Sequence, residues 1–155
     1  MADFSKEELY EIRDMHASLE HEMKRRASLF NQVTVTAIDT TKDKVKTSPT
    51  DKRALLMATL ADLDTRIEQA TEELNGKKQR ALRFFEGSEL TREEYEVMYY
   101  RFIACLEWED IYSIMYWSGS YIQSRYRIAM RKLFPNEANE NKLMQTETNT
   151  QQQNL

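Results

Sequence analysis

Glycine, proline, cysteine and histidine are scarce in this sequence of 155 residues, which contains 3 Gly, 2 Pro, 1 Cys and 2 His. Scarce Gly and Pro, together with abundant Glu, Lys, Leu, Met and Arg, favour long helices over sheets. The single Cys105 excludes an internal disulfide and fits a reducing compartment. Because the sequence has no Gly-rich phosphate loop, no Cys/His metal set and no nucleophile–base spacing, we expect no enzyme and no bound cofactor or metal.

Long apolar runs are missing as well. No window approaches the roughly 18 apolar residues that a membrane span needs, and the N-terminal MADFSKEELYEI has no apolar signal core. We therefore expect no membrane partner and a cytoplasmic location.

The charge balance restricts the possible partners. A formal net charge of −4 at pH 7 excludes a protein that coats nucleic acid over its whole surface. Any contact with phosphates must therefore come from a local basic patch. A content of 41% apolar and 31% charged residues is typical of a soluble helical protein with a modest core.

Two long helices are predicted within residues 5–87. Over residues 5–33, side chains at alternating spacings of three and four form the seam of a coiled coil or helical hairpin. They are Leu9, Ile12, His16, Leu19, Met23, Arg26, Phe30 and Val33. The polar connection 34–48 follows, and its β-branched residues disfavour helix.

The second long helix is predicted over residues 48–87. Ser48, Pro49 and Asp51 form a start signal with a capping box, and the three–four pattern then continues. Gly76 interrupts the pattern and is expected to weaken or kink the helix, while Gly87 can end it in a left-handed cap. The apolar stripes that these three–four patterns form on the two long helices can pack as an antiparallel hairpin within one chain. They can also pair between two chains, so a homodimer is an alternative.

Residues 88–134 are predicted to form a trihelical segment, and residues 135–155 a disordered tail. A capping box at Thr91 and Glu94 opens a helix that runs towards Cys105. A short helix from about Trp108 to Met115 follows, Tyr116 and Trp117 make a turn, and Ser118 caps the third helix. The fold class is thus all-α: a long antiparallel hairpin followed by a helix-turn-helix.

The third helix separates its side chains by chemistry. At 100° per residue, Ile122, Tyr126, Ala129 and Leu133 share a narrow sector that must face the core. The outer sector and its flanks combine hydroxyl, amide and basic groups suited to phosphates and base edges. These candidate DNA-binding residues are Ser120, Tyr121, Gln123, Ser124, Arg127, Arg131 and Lys132.

The trihelical segment resembles region 4 of sigma-70-type factors. More closely, residues from about Leu9 to Leu133 resemble an uncharacterised family of phage and prophage proteins, neighbours of the ArpU-like and RinA-like late transcription regulators. The matching motifs are Arg101-Phe102-Ile103, Trp108-Glu109-Asp110-Ile111, Trp117-Ser118, Ile122 and Ala129-Met130. The resemblance implies a phage-encoded protein that binds duplex DNA in transcription control, with host RNA polymerase as a possible further partner.

The sequence departs from the family pattern at several positions. Tyr112 stands where the pattern has a small Ala, and Tyr116 stands where a turn Gly is common. Ser124 replaces the usual Arg, Tyr126 the usual His, and Glu107 the usual capping Ser. A bulky Tyr112 at a close helix crossing is expected to push the two motif helices apart.

Two other functions fit the same residues. A degenerate helix-turn-helix with exposed aromatic residues, Tyr116 and Tyr121 above all, could instead bind a host or phage protein. The long apolar seams could alternatively make the chain a self-assembling coiled-coil scaffold.

Overall fold

The computed structural model describes residues 4–38 and 49–137. Within these ranges the chain is all-α, with no strand. The helices are α1 (Lys6–Ile38), α2 (Pro49–Glu86), α3 (Arg92–Met98), α4 (Trp108–Met115) and α5 (Gly119–Leu133), with a π-helical segment at Tyr99–Ile103. The predicted cap Ser48, most of the polar connection and the tail from residue 138 onward lie outside the described residues.

The chain divides into two compact units. The terminal unit comprises Met1–Arg13 and Lys77–Leu155, and the hairpin unit comprises Asp14–Gly76. Both long helices contribute to both units, whereas α3, α4 and α5 belong to the terminal unit alone.

In the hairpin unit, α1 and α2 run antiparallel, because Glu22 pairs with Arg66 and the later Arg26 pairs with the earlier Asp64. Val33, Leu60 and Leu63 are buried between the helices. The fold class predicted from the sequence is therefore confirmed, with both stripes on one chain.

The predicted seam of α1 is wrong at two positions. Met23 and Phe30 are 53% and 51% exposed, whereas Val33 is buried and Leu29 half-buried. A straight α-helix drifts by about 20° per heptad relative to a repeat of 3.5 residues. The buried face of α1 thus turns away from Met23 and Phe30 towards the side that carries Leu29 and Val33.

Helix α1 also extends beyond its predicted end. Residues 34–38, assigned to the polar connection, are helical, and the Thr34 hydroxyl donates to the Phe30 carbonyl at 3.0 Å. β-Branched residues cost only a few tenths of a kcal/mol each in a helix. Since α1 is already nucleated, extending it avoids the cost of a new first turn.

Gly76 within α2 and Gly87 just after it both differ from expectation. The helix passes through Gly76 without a break, since the roughly 1 kcal/mol cost of one Gly does not interrupt a long helix. Gly87 has no positive φ, so the predicted left-handed cap is wrong. Instead the Gly87 amide donates to the Arg83 carbonyl and the Ser88 hydroxyl donates to the Phe84 carbonyl.

The terminal unit is built around α3, α4 and α5. The predicted capping box is confirmed, because Thr91 and Glu94 exchange side chain–backbone hydrogen bonds. Val97, Ile111 and Ile122 form a fully buried cluster. The first turns of α1 and the last turns of α2 join this unit through the buried Leu9, Ile12, Ala81 and Phe85.

The helix predicted from Thr91 towards Cys105 is α-helical at first and π-helical after Met98. After Met98 it widens into the π-helical segment, where the Ala104 amide donates to the Tyr99 carbonyl at 3.0 Å. Arg13 then donates to the carbonyls of Arg101 and Leu106 at 2.7 and 3.0 Å. This arginine anchors the start of α1 to the loop that leads into α4.

Helical structure also continues past α5. Residues 135–137 form a further helical turn, and the Glu137 carboxylate lies 3.8 Å from the Lys6 ammonium. The tail predicted to be disordered from residue 135 therefore cannot include these three residues.

Candidate nucleic-acid interface

Helices α4 and α5 are joined by the short turn that the sequence predicted. Helix α4 runs from Trp108 to Met115, and the Ser118 hydroxyl caps α5 by accepting from the Tyr121 amide at 3.3 Å. Tyr116 makes the turn with φ 57° and ψ 29°. It thus adopts the left-handed conformation that a turn Gly would supply, at a cost of about 1–2 kcal/mol for a residue with a Cβ.

The contact between α4 and α5 accommodates the bulk of Tyr112. A Cβ added to Gly119, the first residue of α5, would lie only 3.1 Å from Cε2 of the Tyr112 ring. The ring therefore lies against a position that has no side chain. Gly119 provides the space that a small residue at position 112 would otherwise provide.

The inner face of α5 is the one that the wheel predicts. Ile122, Ala129 and Leu133 are buried, as expected. Tyr126 is half-buried and contacts the Trp108 ring edge-on, with 4.9 Å between ring centroids. Burial, followed by the neighbouring Tyr10, raises the pKa of Tyr126, so its phenol stays protonated at neutral pH.

The outer face of α5 is open to solvent. Ser120, Arg127 and Arg131 are exposed and Ser124 is half-buried. Within residues 4–38 and 49–137, neither Arg127 nor Arg131 has an ion pair or a side-chain hydrogen bond. These four side chains recur every three or four residues and line one side of the helix over about 16 Å.

Three of the candidate residues make contacts within the protein. The Gln123 amide donates to the Tyr112 hydroxyl at 2.9 Å, which holds α5 to α4. The Lys132 ammonium lies 2.8 Å from the Glu94 carboxylate on α3. The structure therefore places Gln123 and Lys132 on the flanks of α5 with partners of their own. Tyr121, expected to be exposed, is half-buried and packs against the buried cluster of the terminal unit. The remaining four candidates lie on the outer face.

The Glu94–Lys132 pair is unusual because the carboxylate is almost fully buried while the lysine is partly exposed. Burial alone would raise the pKa of Glu94, but the bonds from Lys132 and the Thr91 amide outweigh it and lower the pKa. Glu94 is thus ionised at neutral pH and neutralises one of the charges on α5.

A stacked column on the flank of α5 was not predicted from the sequence. The Trp117 and Tyr121 rings stack with 4.7 Å between centroids, and the Arg125 guanidinium lies 5.1 Å from the Tyr121 centroid. Arg125 is not among the residues that the sequence proposes for DNA binding. The spacing of four residues between consecutive members is the signal that could have identified the column, since such residues are neighbours on a helix.

Acidic side chains limit where phosphates could approach. Glu107, just before α4, is paired with Arg13 and Arg101, but Glu109 and Asp110 are exposed in the first turn of α4. They would repel a phosphate at the start of α4, where the helix dipole would otherwise attract it. A nucleic acid would therefore contact α5 rather than the start of α4.

Across the described ranges, no group of three or more His, Cys, Asp or Glu residues could hold a metal ion. None of the helices in this part of the chain is long and apolar enough to cross a membrane. Comparison with protein-family models, with curated proteins and with solved structures finds no match.

Proposed function

We propose that this protein binds duplex DNA through the outer face of α5 and acts in transcription control, as a phage-encoded regulator in the host cytoplasm. The observation that carries the proposal is the state of Arg127 and Arg131: both are exposed, and neither has an ion pair within the described residues. Arg13 and Arg80 of the same unit are instead held by the carboxylates of Glu107 and Glu8.

The dimensions of α5 suit a major groove. The helix has 15 residues, so it is about 22 Å long, and a groove about 12 Å wide accepts a single helix. Ser120 lies in its first turn, where hydroxyl groups and free backbone amides favour phosphate oxygens. Arg127 and Arg131 then project one turn apart, and each could bind a phosphate or the edge of a guanine.

Salt dependence tests this proposal directly. We expect duplex affinity, measured by fluorescence anisotropy from about 50 to 200 mM salt, to fall steeply in the wild type. If Arg127 and Arg131 both contact phosphates, Arg127→Ala with Arg131→Ala reduces the slope of log K against log salt by nearly two units. The proposal fails if the double variant leaves both affinity and slope unchanged.

A matched control separates a local contact from a loss of net charge. Lys24 and Arg25 are exposed cations of α1 in the hairpin unit. Replacing both with Ala changes the net charge by the same amount as the α5 double variant. We expect this control to keep the wild-type slope, and an equal loss in both variants would count against a specific role of α5.

The aromatic turn supports a second candidate function, the binding of a host protein such as RNA polymerase. Tyr116 is 93% exposed, and Ile114 and Trp117 are also exposed beside it. Exposed Tyr and Trp side chains of this kind are enriched at the centres of protein interfaces. This function would use the turn, whereas DNA binding would use the outer face of α5.

The two candidates are distinguished by which variant loses which partner. A pull-down of purified host RNA polymerase, after nuclease treatment, compares the wild type with Tyr116→Ser plus Trp117→Ser and with the α5 double variant. Loss in the aromatic variant alone supports the protein-binding function. Retention by the aromatic variant, or no binding by the wild type, contradicts a polymerase contact at this turn.

A further inference from the structure

The hairpin unit has an apolar flank that its own two helices leave uncovered. At 100° per residue, Met23, Ala27 and Phe30 lie within about 60° of one another on α1. Met57 and Ala61 lie together on α2 by the same count. Every one of these side chains is exposed. We call this set the Phe30 flank.

The ion pairs show that the two stripes belong to the same flank. Arg26 pairs with Asp64, and its guanidinium lies 5.9 Å from the Phe30 ring centroid. On α2, Asp64 falls between the buried Leu60 and the exposed Met57 and Ala61. A second inter-helix pair of the hairpin unit, Glu22 with Arg66, lies on the opposite side of the buried seam.

Charges at the two ends of the Phe30 flank have opposite signs. Along α2, Arg53 precedes Ala61 by about 12 Å, and Glu68 follows it by about 10 Å. Glu20 lies beside Glu68 at the acidic end, where it belongs to the exposed face of α1. A surface that is apolar in the middle, basic at one end and acidic at the other is complementary to a copy of itself turned end for end.

The area also fits a stable pair. The α1 segment of the hairpin unit is about 37 Å long, and two packed helices are about 20 Å wide. The whole face of the hairpin unit that carries the Phe30 flank therefore measures about 700 Å², close to the roughly 800 Å² per partner of a standard interface. From this area and this charge pattern we propose that the protein forms a homodimer in which the Phe30 flanks of two copies pack into an antiparallel four-helix bundle.

In this dimer the two-fold axis passes near Ala27 and Ala61, the small residues at the middle of the flank. Phe30 and Met57 of each copy fill the space on either side of them. Arg53 of one copy then faces Glu68 of the second copy, and the contact occurs twice by symmetry. The dimer does not depend on DNA binding, since the flank belongs to the hairpin unit and α5 to the terminal unit.

Sedimentation equilibrium of the full chain without DNA is the first test. We expect twice the chain mass of 18.4 kDa for the wild type. Phe30→Glu with Met57→Glu should give a monomer, because four charges would enter the apolar middle of each dimer. The matched control is Val35→Glu with Leu55→Glu, at exposed positions away from the flank, which should remain dimeric.

A charge exchange tests the end-for-end arrangement without touching the apolar middle. Arg53→Glu and Glu68→Arg should each weaken dimerisation about tenfold, since each change acts at two symmetric contacts. The two changes together should restore it to within about twofold.

A monomeric wild type, a larger assembly, or a Phe30→Glu plus Met57→Glu variant that stays dimeric would each overturn the dimer. A combined charge variant no tighter than the weaker single variant would overturn its end-for-end arrangement. None of these results bears on DNA binding by α5, which the salt series measures separately.

Discussion

The terminal unit and the hairpin unit bury their apolar side chains to very different degrees. In the terminal unit, helices of 7, 8 and 15 residues enclose a cluster in which Val97, Ile111 and Ile122 are fully buried. In the hairpin unit, the much longer α1 and α2 leave Met23, Phe30 and Met57 about half exposed. Since two helices can cover only one face of each other, a third packing element matters more for burial than helix length.

The two units also hold their charges differently. The terminal unit buries the Glu94 carboxylate against Lys132, whereas the side chains of Glu22 and Arg66, which pair in the hairpin unit, are 24% and 63% exposed. A buried carboxylate depends on its partner far more than an exposed ion pair does. The difference between the units can therefore be measured residue by residue.

The largest effect is expected in the core of the terminal unit. Ile111→Ala should lower the free energy of unfolding by about 3 kcal/mol, because it leaves a cavity in a fully buried cluster. Ile114→Ala on the same helix is the control, and it should cost less than about 1 kcal/mol since Ile114 is exposed. Denaturation followed by tryptophan fluorescence reports this unit, because Trp108 and Trp117 both lie in it. Equal costs at the two positions would contradict the difference in burial.

A smaller loss is expected at the buried carboxylate. Glu94→Gln should cost about 2 kcal/mol at pH 7, since it removes the charge that Lys132 and the Thr91 amide stabilise. Because the pKa of Glu94 is lowered on folding, its contribution is complete above the ordinary pKa of Glu, ~4.3. It is then lost as the pH falls through the lower pKa of the folded protein.

The pH dependence of the unfolding free energy tests whether folding lowers the pKa of Glu94. Between pH 6 and pH 3, the wild type should lose more unfolding free energy than Glu94→Gln, which cannot titrate at this position. Glu93→Gln, at a neighbouring half-buried glutamate, serves as the control and should follow the wild type. If the wild type and Glu94→Gln lose stability in parallel, the bond with Lys132 is not what stabilises the carboxylate.

A gain of stability is expected at the turn. Tyr116→Gly should raise the unfolding free energy by about 1 kcal/mol, because Gly adopts φ 57° without the strain of a Cβ. Tyr116→Ala is the control, since it removes the ring but keeps the Cβ, and it should give no gain. A gain in the Ala variant instead would attribute the effect to the exposed ring.

The smallest effect is expected for the surface ion pair of the hairpin unit. A double-mutant cycle on Glu22→Ala and Arg66→Ala should give a coupling of less than about 0.5 kcal/mol. The same cycle on Glu94 and Lys132 should give a clearly larger coupling. If the two coupling energies are equal, the ion pairs of the two units do not differ in their contribution to stability.

Local signals in the sequence were sufficient for most of the fold. The all-α class, the hairpin, the capping box at Thr91 and Glu94, and the bounds of α4 all follow from helix propensity, periodicity and caps. The exposure of Met23 and Phe30 did not follow, because a heptad pattern does not reveal how far a helix drifts from its partner. The helical residues 34–38 did not follow either, since propensity of single residues says little about extending an existing helix.

In the candidate site, too, features of a single helix could be predicted, whereas contacts between distant residues could not. Which face of α5 is buried could be read from the helical wheel, since it depends on one helix alone. The contacts of Gln123 with Tyr112 and of Lys132 with Glu94 join residues that lie 11 and 38 positions apart. No local pattern predicts such pairs, so the sequence could propose these residues for DNA but could not show that they already have partners.

The packing of Tyr112 against Gly119 has a consequence for how this motif can change. In the helix-turn-helix pattern a small residue at position 112 leaves room between the two helices. Here Tyr112 is large, and the room comes from Gly119, seven residues later, so the sizes of the two residues are coupled. A side chain at 119 should become acceptable once 112 is small, and a large ring at 112 should require 119 to stay bare. A pattern that scores each position separately does not register this compensation, and it will count the large Tyr112 as a defect even though Gly119 makes room for it.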